Sequence, residues 1–307
     1  MQILRTPKHC FENLPGYSFQ ENYVDVSNAC AFTVGEELRM HYVDYGLPDS
    51  PVILMLHGEP SWSYLYRHMI NNVAQAGFRV IAPDLIGFGK SDKFAEQDAY
   101  TYANHLSWLR EFLNTLALTD IHLICQDWGG LLGLRLVAEQ PELFMGVIAA
   151  NTMLPTGDHK PPQAFLDWQT YSQETDNFDI GNIIQRATQN DLIDEVVAAY
   201  NAPYPEEKYK AGARKFPLLV PISPDDPETE NNRRAWASLK QFDKPFITAF
   251  SDHDPVTAGG DKIFQKTIPG CIGQSHTTMA NGGHFLQEDC ASALAELAIT
   301  CFKENER

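Results

Sequence analysis

The run Ile124-Cys125-Gln126-Asp127-Trp128-Gly129-Gly130 carries the most distinctive chemistry in this sequence. It lies between an apolar stretch with strand character and a helical one. Gly129 and Gly130 let the chain turn sharply and let the following helix pack close to the strand. Such a corner lifts one side chain above the sheet edge, and here that side chain is the carboxylate of Asp127. A serine alkoxide in this place would attack an acyl carbon. A carboxylate instead displaces a leaving group from an sp³ carbon and becomes an alkyl ester. Water then attacks the carboxyl carbon of Asp127 itself. The plain alternative is an aspartate that only caps the next helix; the glycines and the preceding strand favour the corner.

Hydrolysis of such an ester needs a general base. Gly282-Gly283-His284-Phe285 follows the last predicted strand, so His284 stands third in the order nucleophile, acid, base. For the acid, Phe250-Ser251-Asp252-His253-Asp254-Pro255-Val256 offers two carboxylates. Asp254, directly before Pro255, is preferred; Asp252 then reads as a solvated loop residue and His253 as a loop side chain. The acid would orient His284 and stabilise its imidazolium.

The run His57-Gly58-Glu59-Pro60-Ser61-Trp62 follows another apolar strand. A loop in this place lends a backbone N–H to an oxyanion hole, as does the residue after the nucleophile. The expected donors are the N–H groups of Glu59 and Trp128, because Pro60 has none. The Glu59 carboxyl either holds the attacking water or is a buried group bonded to local backbone. A halide leaving group would need donors that carry no proton it could take up, in a mostly dry pocket. Indole N–H groups fit that need. Trp128 is beside the nucleophile, and Phe165-Leu166-Asp167-Trp168 offers a second indole, Trp168. Trp62, Trp108 and Trp236 read as packing residues.

The elements that must position these groups follow from hydrophobic patterning. Strands are predicted at 36–45, 52–56, 79–82, 121–125, 147–150, 245–250 and 275–280. Helices are predicted at 64–75, 106–116, 131–139 and 291–302. Continuous apolar runs such as Val52-Ile53-Leu54-Met55-Leu56 suit strands buried on both faces, and the strand–helix alternation indicates a mostly parallel sheet. The alternation stops after Asn151. Residues 155–227 are polar, helix-leaning and rich in proline, which reads as a helical insertion. The expected organisation is a main domain of 1–154 and 228–307 with a cap of 155–227, and a ligand cleft between them.

The 307 residues are 44% hydrophobic, enough for a sizeable core. A formal net charge of −17 argues against nucleic acid or an anionic membrane as partner. The first residues lack the apolar run of a signal peptide, and no stretch approaches the roughly 18 apolar residues of a membrane span. The six cysteines, at 10, 30, 125, 271, 290 and 301, form no CxxC and no metal-ligand spacing. Free thiols in a reducing cytoplasm are expected, with no metal and no cofactor. An exposed cysteine could still bridge two subunits, and the chain is expected as a monomer or homodimer.

With these motifs in hand, the sequence resembles the haloalkane dehalogenases, in particular the subfamily of the enzyme that hydrolyses 1,2-dichloroethane. The resemblance rests on 57–67 (HGEPSWSYLYR) with 126–130 (QDWGG). Arg5-Thr6-Pro7, 82–92 and Gly212 with Arg214-Lys215-Phe216-Pro217 add to it, and it spans nearly the whole chain. It implies an α/β-hydrolase fold, a mostly parallel central sheet flanked by helices, with an inserted helical cap. It implies a reaction that turns a haloalkane and water into a primary alcohol, halide and a proton. Carried over, the triad is Asp127, His284 and Asp254, the halide is held by Trp128 and Trp168, and Phe165, Tyr204 and Pro205 line the pocket.

The nearest rival is an epoxide hydrolase, which shares the nucleophile and base but protonates its leaving oxygen with cap tyrosines. Tyr171, Tyr200, Tyr204 and Tyr209 are the candidates for that role. A non-catalytic ligand-binding relative is the other alternative, and an intact nucleophile, acid and base argue against it.

Overall fold

A computed structural model describes residues 2–27 and 37–305. Its centre is an eight-stranded sheet. In chain order the strands are β2 (Asn22–Ser27), β3 (Glu37–Tyr45), β4 (Val52–Leu56), β5 (Arg79–Pro83), β7 (Ile121–Gln126), β8 (Phe144–Ala150), β9 (Phe246–Ser251) and β10 (Thr277–Met279). Across the sheet they lie in the order β10-β9-β8-β7-β4-β5-β3-β2. β2 and β3 run antiparallel, as do β3 and β5; the other neighbours are parallel. Two short strands, β1 (Ile3–Leu4) and β6 (Lys93–Phe94), pair separately.

Every residue of β4 and of β7 is buried, as expected of central strands covered by helices on both faces. The flanking helices of the main body are α1 (Arg67–Gln75), α2 (Tyr102–Thr115), α3 (Trp128–Glu139), α8 (Thr229–Leu239), α9 (Gly260–Thr267) and α10 (Leu286–Asn305). Between β8 and α8 the chain adds α4 (Gln163–Glu174), α5 (Ile180–Arg186), α6 (Asp194–Asn201) and α7 (Ala211–Leu219), with no strand. Helix α8 packs on α3 of the main body, which separates it from the four inserted helices.

Several boundaries differ from the patterning. The predicted helix at 64–75 begins as a 3₁₀ turn at Ser63–Tyr66, because the Tyr66 hydroxyl is drawn down onto the Leu56 carbonyl at 2.9 Å. Helix α2 starts four residues early, where Thr101 accepts from the Asn104 N–H at 3.1 Å as a side-chain cap. The last helix begins at Leu286 and kinks at Cys290. Among the described cysteines, Cys10, Cys125, Cys271 and Cys290 are free thiols; Cys30 lies outside the described residues. No described helix is long and apolar enough to cross a membrane.

A buried ion pair ties the inserted helices to the main body. Arg67 of α1 and Glu288 of α10 are each only 2% exposed at the side chain. Arg67 Nη2 donates to Glu288 Oε2 at 2.8 Å, and the Tyr200 hydroxyl of α6 bonds the other carboxylate oxygen. Removing the carboxylate strands a buried guanidinium. Glu288→Ala should therefore cost about 3–5 kcal/mol of stability in urea unfolding; a loss below about 1 kcal/mol would mean that the pair is not the clamp described.

Candidate active site

The parallel strands end on one edge of the sheet, and the loops that leave that edge converge. Asp127 follows β7, the loop 57–62 follows β4, Asn151 follows β8, Asp254 follows β9 and His284 follows β10. Open α/β sheets place ligands at this edge.

Asp127 has φ +50° and ψ −124°, a conformation that costs a non-glycine residue about 1–3 kcal/mol. The surroundings impose it. The Asp127 N–H donates to the Asn151 carbonyl at 3.0 Å, and the Asp127 carbonyl accepts from the Thr152 hydroxyl at 2.7 Å and the Gly130 N–H at 2.8 Å. Gly129 is required by close approach, since a Cβ there would lie 2.0 Å from the Leu56 carbonyl oxygen. At Gly58 a Cβ would lie 2.4 Å from Asp127 Oδ1, so that glycine keeps the carboxylate in place.

The two carboxylate oxygens have different neighbours. Oδ1 accepts from the Glu59 N–H at 2.7 Å. Oδ2 lies 3.5 Å from His284 Nε2. The described hydrogen bonds include none from the Trp128 N–H to Oδ1, so of the two expected oxyanion donors only Glu59 is engaged. The loop that supplies it is braced by His57. His57 Nε2 accepts from the Leu85 N–H at 3.0 Å, which leaves Nδ1–H to donate to the Gly58 carbonyl at 2.9 Å. Burial lowers the His57 pKa, in keeping with that neutral tautomer.

His284 stands between two acids. Its Nδ1 is 3.1 Å from Asp254 Oδ2, in ion-pair range though off the ideal line of a hydrogen bond. Burial opposes an imidazolium, but the carboxylates of Asp254 and Asp127 outweigh it and push His284 up to about 10. Burial likewise opposes ionisation of Asp254. His284, the Thr257 hydroxyl and the Val256 N–H (2.9 Å) reverse that and hold it at about 2. Asp252 is out on the loop, bonded to His253 Nδ1 at 2.7 Å, and does not reach His284.

Three positioning residues were not foreseen. Gln126 Nε2 donates to the His284 carbonyl at 3.1 Å and lies 3.2 Å from His284 Nε2. Asn151 Nδ2 donates to the carbonyls of Gly283 (2.9 Å) and His284 (3.0 Å). The Ser251 hydroxyl donates to the Gly283 carbonyl at 2.8 Å. Together they fix the turn that carries the histidine.

Asp127, Glu59, Trp128, Trp168, Phe165 and His284 line one cavity of about 790 Å³. The Trp128 ring is almost fully buried and forms part of the cavity wall beside Asp127. The Trp168 ring stacks on Phe178 (5.8 Å) and Tyr171 (6.0 Å), and its indole faces the Glu59 carboxyl. Burial, reinforced by the Asp127 charge, raises the Glu59 pKa well above the usual carboxylate range, and its Oε1 has no partner.

Two expected pocket residues are elsewhere. Tyr204 is buried behind the loop, its hydroxyl donating to the Pro60 carbonyl at 3.4 Å, and it does not line the cavity. Pro205 is exposed on the outer surface, because the chain leaves the interior after Tyr204. Leu131, Ile183 and Pro217 supply apolar wall in their stead. Of the other tryptophans, Trp62 and Trp108 are buried in the core, whereas Trp236 reaches the outer cavity with its N–H tied to the Leu154 carbonyl at 2.7 Å. No tyrosine is among the described cavity-lining residues, so the candidates for protonating an epoxide oxygen are absent from it.

A reactive side chain raised on a strand-to-helix corner of such a sheet defines an α/β-hydrolase, and the alpha/beta hydrolase fold family model matches residues 51–290. Haloalkane dehalogenase of Psychrobacter cryohalolentis is 56% identical over the whole of both chains. That of Mycobacterium marinum is 45% identical over 98% of this chain and 99% of its own. A solved structure described as the tetrameric haloalkane dehalogenase DpaA from Paraglaciecola agarilytica superposes with a TM-score of 0.88 at 33% identity, covering 98% of this chain and 97% of its own. The chain belongs to the haloalkane dehalogenases, hydrolases that act on carbon–halogen bonds.

Proposed function

We propose that Asp127 Oδ2 attacks the halogen-bearing carbon of a haloalkane in an SN2 step, forming an alkyl ester and releasing halide. The indole N–H groups of Trp128 and Trp168 hold the departing anion; they donate hydrogen bonds without giving up protons. Water then attacks Cγ of Asp127 with His284 Nε2 taking its proton, and Asp254 stabilises the imidazolium. Oδ1 becomes the oxyanion on the Glu59 N–H, and the Trp128 N–H is the second donor as charge develops. The Glu59 carboxyl, whose Oε1 is free of protein partners, positions the attacking water. Residues 155–227 act as the cap that keeps this chemistry away from bulk solvent.

The observation that carries this reading is the split environment of one carboxylate: Oδ1 on a backbone N–H at 2.7 Å, Oδ2 facing His284 at 3.5 Å, in a cavity that also holds two indoles. The halide cradle is tested by Trp168→Phe. A hydrogen bond to a charged group contributes about 1.5–3 kcal/mol, so bromide affinity in calorimetric titration should fall roughly 10- to 100-fold, with slower halide departure. Unchanged affinity and turnover would reduce Trp168 to packing.

A further inference from the structure

Acidic side chains outnumber basic ones 40 to 23 in this chain, yet the cavity rim has the opposite sign. Three exposed cations line it: Lys160 in the loop before α4, Arg186 at the end of α5 and Lys266 in the last turn of α9. Among the described residues none of the three meets a carboxylate, whereas Arg79, Arg110, Arg214 and Arg233 each do. Among the described lining residues the carboxyl groups are those of Asp127 and Glu59, both at the reacting centre. Two acids adjacent in sequence to lining residues have partners of their own. Asp158 is bonded to Arg233 at 2.5 Å and to the Thr156 hydroxyl at 2.7 Å, and Asp252 to His253 at 2.7 Å. Much of the remaining wall is apolar, with Leu131, Leu154, Ile183, Val220 and Ile222 among the lining residues. A volume of about 790 Å³ falls in the range that holds drug-sized ligands, far beyond a two-carbon molecule.

Apolar below and cationic above, the cavity matches a molecule with a carbon–halogen bond at one end and an anion at the other. We propose that the site takes ω-haloalkanoates, with the carbon–halogen bond at Asp127, the methylene chain along the apolar wall and the carboxylate at the cationic rim. The inference rests on the dehalogenase reading and names a substrate class within it. The reaction is unchanged: the carbon–halogen bond breaks, a carbon–oxygen bond to Asp127 forms and is hydrolysed, and the products are an ω-hydroxyalkanoate, halide and one proton. Clefts lined by one sign of charge concentrate ligands of the other, and salt weakens the effect.

The test compares kcat/KM for ω-bromohexanoate, neutral bromohexane and ω-bromohexylammonium on the whole enzyme. At low ionic strength the carboxylate should exceed the ammonium by at least about tenfold. The ratio should approach one in about 1 M salt, where the Debye length is about 3 Å. It should also collapse in the triple variant Lys160→Gln, Arg186→Gln, Lys266→Gln. It should persist in Lys240→Gln with Lys303→Gln, which removes two exposed cations away from the cavity. A ratio at or below one, or one that survives the triple variant, overturns the proposal while leaving bromohexane turnover intact. Absence of bromohexane turnover would instead overturn the dehalogenase reading and this inference with it.

Discussion

His284→Gln should consume one equivalent of a bromoalkane and then stop. Displacement by the Asp127 carboxylate needs no base, so the ester still forms and halide is still released once. Hydrolysis does need one: a neutral amide accepts no proton from water, and steady-state turnover should fall about 10²- to 10⁴-fold. The intact-protein mass should rise by one alkyl group within minutes, and the increment should map to the peptide containing Asp127. The variant is expected to fold, because Gln126 and Asn151 hold the backbone carbonyl of residue 284 rather than its ring. An unchanged mass in a folded variant that has met substrate would mean that no covalent ester lies on the pathway.

The two chemical steps should also separate by pH. In the free enzyme burial disfavours the His284 imidazolium, but two flanking carboxylates push it up to about 10, so it is protonated at neutral pH. Alkylation converts Asp127 into a neutral ester. One raising charge disappears while burial and Asp254 remain, so the pKa must fall below its free-enzyme value. Ester formation thus moves His284 in the direction a base needs, toward the neutral imidazole. The sign follows: hydrolysis requires the neutral imidazole, so its rate rises about tenfold per pH unit up to the ester-form pKa and then levels. Ester formation should show no such rise over the same window. Rapid-quench mass spectrometry reads both rates, and parallel slopes would contradict the assigned roles.

How much of this was legible in the sequence depended on whether a residue's role is local. The central strands were, since Val52–Leu56 and Ile121–Cys125 are unbroken apolar runs and both are buried on two faces. The corner was too, because two glycines after an aspartate leave few other conformations. Asp254 was distinguished from Asp252 only by the proline that follows it, and the structure puts Asp254, not Asp252, against His284. Asn151 gave no signal, and Gln126, though part of the 126–130 motif, gave none of its role in holding the His284 turn. Their partners are backbone carbonyls 133 and 158 residues away, and a backbone acceptor leaves no trace in side-chain pattern. Helix α8 was hidden for a different reason. Its polar run Asn231-Asn232-Arg233-Arg234 carries no apolar periodicity, although Thr229, Asn232, Ala235 and Leu239 form a buried stripe. Tyr204 and Pro205 were misplaced because family register in the inserted helices was followed where the local chain path differs.

All of the mechanism depends on one oxygen atom leaving the enzyme in the product. A single turnover with enzyme in excess, run in ¹⁸O-enriched water, measures this directly. The first alcohol should contain ordinary oxygen from the Asp127 carboxylate, and the enzyme should gain one heavy oxygen in that side chain. Heavy oxygen in the first alcohol, with an unlabelled aspartate, would mean that water attacks the substrate carbon and that Asp127 is not the nucleophile.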